Sequence, residues 1–342
     1  MQMAKHSYKL GAAQFCTFLA CLAALSIFTL ACAKEAPKKP KGFTYIQQLA
    51  KANGFGQIEL GAEAVTLRST WTTIAFTPDS RRVTMNGSVI WLNAPIRMVN
   101  GQWALTDIDA NKTITPLLRP LDCLGHYGYK TIVLDPGHGG KDSGGVGQGT
   151  LLEKKTALDI AKKLRIILIG LGYKVHLTRE TDIFIELQDR CELARTWKAD
   201  LFISIHCNSG SSPHANGIES FALSLPGYPS TNASGQKASD EVENPGNKND
   251  PGNIVLGHAI QHSLIKTSGR VDRGLRRARF VVLKNAPCPA TLVECGFLSN
   301  QEESKLLRDE VYLTRISKAL AYGIDNYVSL VRKARLIAAD TP

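Results

Sequence analysis

Four side chains in this 342-residue sequence have the types and spacing for hydrolytic chemistry: His138, Glu153, His206 and Glu294. His138 follows the apolar run 131–135 (TIVLD) within DPGHGG, and Glu153 stands fifteen residues later. His206 ends the run 201–206 (LFISIH), and Glu294 ends 291–294 (TLVE). Two imidazoles, a carboxylate and a water form a catalytic zinc set with one open position. The metal lowers the pKa of its water to about 7 and so supplies a nucleophile. A second carboxylate, off the metal, can serve as general base and pass the proton to a departing amine. Taken singly, a His at a strand end is commonly just hydrogen-bonded, and a Glu opening a helix suits the helix dipole. Glu294 is harder to set aside, because an unpaired carboxylate ending a buried strand is costly.

For the four to meet, their strands must run parallel and end at one edge. The pattern beyond Tyr129 predicts this. Strands are expected at 131–135, 175–178, 201–206, 218–223, 280–283 and 291–294, with helices at 153–169, 187–198, 254–267 and 311–331. The first helix carries Ala157, Ile160, Ala161, Leu164 and Leu168 on one stripe and stops at Gly170 and Gly172. The expected fold class is α/β, a mostly parallel sheet flanked by helices, with ligands beyond the carboxyl ends of the strands. The glycine-rich loop 137–149 suggests a phosphate cradle as an alternative, but it lacks the Gly-Lys-Ser/Thr ending.

Ahead of this catalytic domain (129–332) lies a small mainly β module at 43–122, opened by a helical stretch at 45–52. Asn86-Gly87 sits between alternating residues and predicts a type I′ hairpin, because both turn positions need positive φ. Asn100-Gly101 repeats the signal, and Pro116 and Pro120 close the segment. No His, Cys or carboxylate cluster marks a site there.

Residues 1–31 read as an export signal: Lys5 and Lys9, then an uncharged apolar run at 11–31. Ala31-Cys32 resembles a lipoprotein box, which makes Cys32 the lipidated first residue. Ala31-Cys32-Ala33 also fits an ordinary A-x-A cleavage site, and an uncleaved anchor is a third reading. Each places the rest of the chain outside the cytoplasmic membrane, in the periplasm or cell envelope. Residues 32–42, with two Pro and four Lys, form a solvated linker.

The net charge of +11 divides as +5 over residues 1–42, +1 over 43–122 and +5 over 123–342. With so much of it in the leader and linker, the basicity does not point to nucleic acid. A composition 44% hydrophobic and 21% charged excludes a disordered chain. Eight Cys exclude a disulfide-built scaffold. After the signal and Cys32, five remain, so at least one has no partner within the chain.

The blocks Asp135-Pro136-Gly137-His138-Gly139-Gly140, Ser204-Ile205-His206-Cys207-Asn208 and Val293-Glu294-Cys295-Gly296-Phe297-Leu298-Ser299-Asn300 resemble the zinc-dependent N-acetylmuramoyl-L-alanine amidases of the cell-separation type. Leu177-Thr178-Arg179 with Asp182, Leu187 and Arg190, and Asp272-Arg273-Gly274-Leu275, continue the match over about 130–330. The resemblance implies Zn2+ on His138, Glu153 and His206, with Glu294 as acid/base and Asn208 and Arg179 touching substrate. It implies cleavage of the amide between the lactyl group of muramic acid and the first L-Ala of the peptidoglycan stem. It leaves room for an activator protein. Cys207 and Cys295 stand where that family usually has small or aliphatic residues. Residues 83–118 resemble the β module named after the copper amine oxidase N-terminal domain, implying binding or spacing rather than copper.

Three features stay open. Residues 224–253 read as a mobile insertion, with Asp240, Glu241 and Glu243 as candidates to plug the site. Lys266, Arg270, Arg273, Arg276, Arg277, Arg279 and Lys284 read as a solvated edge or as a groove for stem-peptide carboxylates. His258 and His262 have i,i+4 metal spacing without further partners. The rival functions are a zinc peptidase acting within the stem and a non-catalytic cell-wall binding or regulatory protein.

Overall fold

The computed structural model describes residues 42–124 and 129–339. The signal 1–31, Cys32 and all of the linker but Gly42 lie outside the described residues. No helix of the described residues is long and apolar enough to cross a membrane.

The chain opens with β1 (Phe43–Tyr45) and α1 (Ile46–Ala52). A meander follows: β2 (Gln57–Leu60), β3 (Val65–Arg68), β4 (Thr73–Phe76), β5 (Arg82–Met85) and β6 (Ser88–Trp91), each antiparallel to the next. Asn86 and Gly87 turn β5 into β6 with φ of 49° and 85°, the conformation that two-residue hairpin requires. Asn100-Gly101 does the same between β7 (Arg97–Val99) and β8 (Gln102–Thr106). The segment then continues as helical turns through 107–123 instead of closing as strand. Thr106 caps them by accepting from the Asp109 amide, and Pro116 and Pro120 fall in first turns, where a missing N–H costs nothing.

Beyond Tyr129 come β9 (Thr131–Pro136), α2 (Glu153–Gly170), β10 (Lys174–Leu177), α3 (Leu187–Thr196), β11 (Leu201–Asn208) and β12 (Ile218–Leu223). They are followed by α4 (Asp250–Ser268), β13 (Asp272–Ala278), α5 (Val281–Lys284), β14 (Ala290–Phe297), α6 (Gln301–Leu306) and α7 (Glu310–Ala339). β10, β9, β11 and β14 are mutually parallel in that order, while β12 runs antiparallel to β14 and parallel to β13.

The apolar strands are covered on both faces, as parallel sheets require. Ile132, Leu134, Ile203, Ile205 and Val293 pack under α2, α4 and α7. Val133, Phe202, Leu292 and Phe221 pack under α3 and α5. The predicted stripe of α2 is fully buried.

One strand differs from expectation. Residues 281–284 form the short helix α5, and the strand before β14 is instead β13, in the basic run that reads as a solvated edge. Arg277 in that strand is only 2% exposed. Its guanidinium donates to the carbonyls of Leu223 and Lys112, which makes burial tolerable.

β13 also joins the two halves of the chain. It pairs in parallel with β6 at Leu275 and Ile90, so the N-terminal meander extends the same sheet, 11-stranded among the described residues. Trp91 donates to the Arg273 carbonyl at 2.8 Å, and Ser88 Oγ lies 2.8 Å from His262 Nδ1. Gly274 is obligatory here: its φ is +90°, and a Cβ would come within 2.7 Å of Val89. His262 thus belongs to this junction. His258 stacks on it and is partly buried, its pKa pushed down to about 4 by desolvation and by the neighbouring His262.

Candidate active site

Strand alternation aims the site residues. In β11, Phe202, Ser204 and His206 share one face while Leu201, Ile203, Ile205 and Cys207 share the other. In β14, Glu294 lies on the Leu292 face, and His206 and Glu294 are register partners. His138 follows β9, and Glu153 opens α2 across the loop. The ligand atoms of His138, Glu153 and His206 all lie within 4.8 Å of one another. Among the described residues this is the one such cluster of three His, Cys, Asp or Glu side chains.

Glu153 Oε1 is 3.1 Å from His138 Nε2 and 2.8 Å from His206 Nδ1. It also accepts from the Cys207 amide, while Oε2 accepts from the Gly145 amide. Burial opposes its charge, but the two imidazoles prevail and hold the carboxyl well below the usual range. Asp142 Oδ2 lies 2.7 Å from His138 Nδ1 and so orients the ring from behind. Desolvation works against a charged His138, yet Glu153 and Asp142 outweigh it and raise its pKa.

The loop is shaped for close approach. A Cβ at Gly137 would lie 2.2 Å from the His206 ring, and one at Gly144 would lie 2.6 Å from both His138 and Glu153. His138 itself has φ +58°, a strained value for a non-glycine residue. Arg190 fastens this loop: it pairs with buried Asp135 at 2.8 Å and donates to the carbonyls of Pro136 and His138.

Arg179 is placed differently from expectation. It is 2% exposed, and its guanidinium donates to the carbonyls of Pro136, Gly137, Lys154 and Thr181. It braces the loop and is not presented to a substrate. Asn208 does face the cavity, where it donates to Glu219 Oε1 at 2.7 Å. Glu219 and Asp142 were not anticipated, and Asp135, Arg273 and Arg276 stood in the sequence reading only as motif and basic-run residues, not as partners of Arg190 and Glu219. The signal for Glu219 was available: a carboxylate inside the apolar run 218–223, the same anomaly that marks Glu294.

Glu294 has an oxygen, Oε2, that is buried and without a hydrogen-bond partner. Burial first, and then the carboxylates of Glu153 and Glu219, push its pKa well above the usual carboxylate range. It lines a cavity of about 560 Å³ together with the triad. Residues 225–251 contribute nothing to that cavity. The candidate plug residue Asp240 is buried against Arg279 at 2.8 Å instead, and 238–241 and 245–249 form 3-10 turns. The side chains of Cys207 and Cys295 pack in the core on the other face of the sheet, although the Cys207 backbone borders the site, and Cys123, Cys191, Cys207, Cys288 and Cys295 are all free.

A three-layer α/β fold with two imidazoles and two carboxylates converging at its strand ends defines a hydrolase site. The family profile described as N-acetylmuramoyl-L-alanine amidase (Amidase_3) matches residues 132–326. N-acetylmuramoyl-L-alanine amidase AmiA of Escherichia coli K12 is 37% identical over 224 residues, which span 58% of this chain and 76% of that protein. AmiC of Escherichia coli O6:H1 is 36% identical over 217 residues, spanning 57% of this chain and 52% of that one. The solved structure of amidase AmiC2 of Nostoc punctiforme superposes with a TM-score of 0.50 at 33% identity, over 59% of this chain and 98% of that one. The chain belongs to the N-acetylmuramoyl-L-alanine amidase family. Its activity is hydrolysis of the peptidoglycan amide between the muramic acid lactyl group and the L-alanine of the stem.

Proposed function

We propose that the chain cuts this amide as a zinc enzyme, with His138, Glu153 and His206 as ligands and Glu294 as general acid/base. The observation that carries the reading is the convergence of three nitrogen and oxygen donors within 4.8 Å beside an orphaned carboxylate oxygen. A two-imidazole, one-carboxylate set fits zinc. When bound, zinc supplies an activated water and polarises the amide carbonyl.

The chain's own residues do the rest. Asp142 fixes the ring of His138, and Glu153, held by two backbone amides, cannot swing away. Glu294 takes the proton the attacking water loses and returns it to the departing L-alanine amine. Its raised pKa suits a group that must carry that proton between the two events. Asn208, tethered by Glu219, offers a polar contact at the cavity rim.

The proposal extends to location. Export by residues 1–31 and lipidation of Cys32 place the enzyme on the envelope side of the membrane, with 32–42 as tether. The module 43–122, similar to the copper amine oxidase N-terminal-like domain, then works as a fixed extension of the catalytic sheet.

Mass spectrometry of fragments released from purified peptidoglycan by residues 41–342, with and without a zinc chelator, tests the reading. Free peptides beginning with L-alanine, lost on chelation, are expected. Cuts inside the stem would overturn the substrate, and full release in chelator would overturn the metal.

A further inference from the structure

A second cavity of about 550 Å³ opens beside the first. The two share Asn208, Arg279, Phe280 and Glu294, so Glu294 stands at their junction. The second cavity is walled on one side by Ser230, Asn232 and Ala233, which belong to the 224–253 insertion.

That wall is built onto β13. The Thr231 amide donates to the Arg277 carbonyl at 2.8 Å, and the Arg277 amide donates back to Thr231 Oγ1 at 2.8 Å. Arg81, from the N-terminal meander, donates to the Thr231 carbonyl. Arg279 fastens the base of the insertion through its ion pair with Asp240 and through the carbonyls of Leu225 and Asp240. Asn232 Oδ1 accepts from Arg276, which stacks over Trp91.

One guanidinium on the lining is incompletely answered. Arg279 pairs with Asp240 and donates to the Leu225 and Asp240 carbonyls through its terminal nitrogens, but its Nε is buried without a hydrogen-bond partner. Arg277 also borders the cavity, but its guanidinium turns to the other face of the sheet, to the Leu223 and Lys112 carbonyls. Glu219, the acid on the lining apart from Glu294, is already engaged by Arg273, Arg276 and Asn208. A guanidinium with an unsatisfied donor beside the reacting centre suits a carboxylate, which an Arg binds in preference to a neutral amide.

We propose that this cavity is the peptide-side subsite, in which Arg279 binds a free carboxylate of the stem within a residue or two of the cleaved amide, and that Asn232 of the insertion forms its outer wall. The inference rests on the zinc amidase reading and adds to it a substrate preference set by the insertion.

The test uses the zinc-loaded chain and two muramoyl peptides that differ only in the second stem residue, one ending in a free α-carboxylate and one in a carboxamide. The wild type should favour the acid by about tenfold in kcat/KM, carried mainly by KM. Arg279→Gln should bring that ratio close to one. Asn232→Asp keeps the acceptor for Arg276, sits on an exposed position and adds a repelling charge to the wall, so it should lower the ratio even if Arg279→Gln does not fold. A wild-type ratio of one, or an unchanged ratio in Asn232→Asp, would overturn the subsite. Cleavage of neither peptide by the wild type would overturn the zinc amidase reading beneath it.

Discussion

Glu219 and Glu294 are register partners on the antiparallel strands β12 and β14, and the fold treats their carboxylates in opposite ways. Glu219 is engaged by Arg273, Arg276 and Asn208, at 3.2, 2.9 and 2.7 Å. Glu294 keeps a buried oxygen without a partner, and its pKa is raised by burial, by Glu153 and by Glu219. The pair is therefore an electrostatic device: one carboxylate is held between two guanidiniums, and, with burial and Glu153, it raises the pKa of its neighbour.

Glu219→Gln follows from this. Removing the anion leaves Arg273 and Arg276 unanswered next to Glu294, and both changes favour its ionised form. Glu294 must be ionised to accept a proton, so the acid limb of the kcat/KM profile should move to lower pH in the zinc-loaded enzyme. An acid limb that stays in place would show that Glu219 does not tune Glu294.

Glu294→Gln and His138→Ala separate chemistry from metal. The first should keep zinc and lose about 10²-fold or more in turnover, the scale of a missing general acid/base. The second should lose zinc, as read by metal analysis after gel filtration. Turnover within a few fold of wild type in Glu294→Gln would remove Glu294 from the mechanism.

Protons and zinc compete at His138. In the metal-free protein, Glu153 and Asp142 raise its pKa against the effect of burial. Their contribution to stability is then fully present below the ordinary histidine value and is lost as pH rises through the raised one. Zinc needs the neutral ring, so its stabilisation runs the other way and grows with pH. The gain in Tm on adding zinc should therefore increase steadily from pH 5 to pH 8. A gain independent of pH would mean that His138 does not exchange a proton for metal.

Much of the site was legible because its signals are local. Each of His138, His206 and Glu294 interrupts or ends an apolar strand run, and parallel topology alone then brings those ends together. Arg179, Arg190 and Asp135 were visible as residues but not as supports, since their partners are backbone carbonyls that only the folded loop supplies. β13 was hidden because charge usually marks solvent. There, Glu219 and a set of carbonyls answer the arginines, so a basic run is buried as strand. The helical turns at 107–123 were hidden by their prolines, which read as stops and in fact begin turns.

Gly137→Ala tests the fit of the loop against β11. The added Cβ would meet the His206 ring at 2.2 Å, and neither partner is free to move: Arg179 holds the Gly137 carbonyl, and Glu153 engages His206 Nδ1. The substitution should lower zinc affinity at least tenfold while leaving far-ultraviolet circular dichroism unchanged. Wild-type zinc affinity would show that the ring has room to yield.

Arg277→Ala tests whether the meander and the catalytic layers fold as one. Arg277 crosses from β13 to the Lys112 carbonyl and Thr113 Oγ1 on the N-terminal side and to the Leu223 carbonyl on β12. Truncation leaves these acceptors buried without a donor and opens a void, which should cost about 3 kcal/mol or more. Because β6 and β13 lie in one sheet, Trp91 fluorescence at the junction and far-ultraviolet circular dichroism should report a single urea transition in the wild type. In Arg277→Ala that transition should fall to lower urea or split in two, with the N-terminal signal lost first. A wild-type midpoint in the variant would mean that the two halves are joined by the β6–β13 ladder alone, and that the buried guanidinium is dispensable to their union.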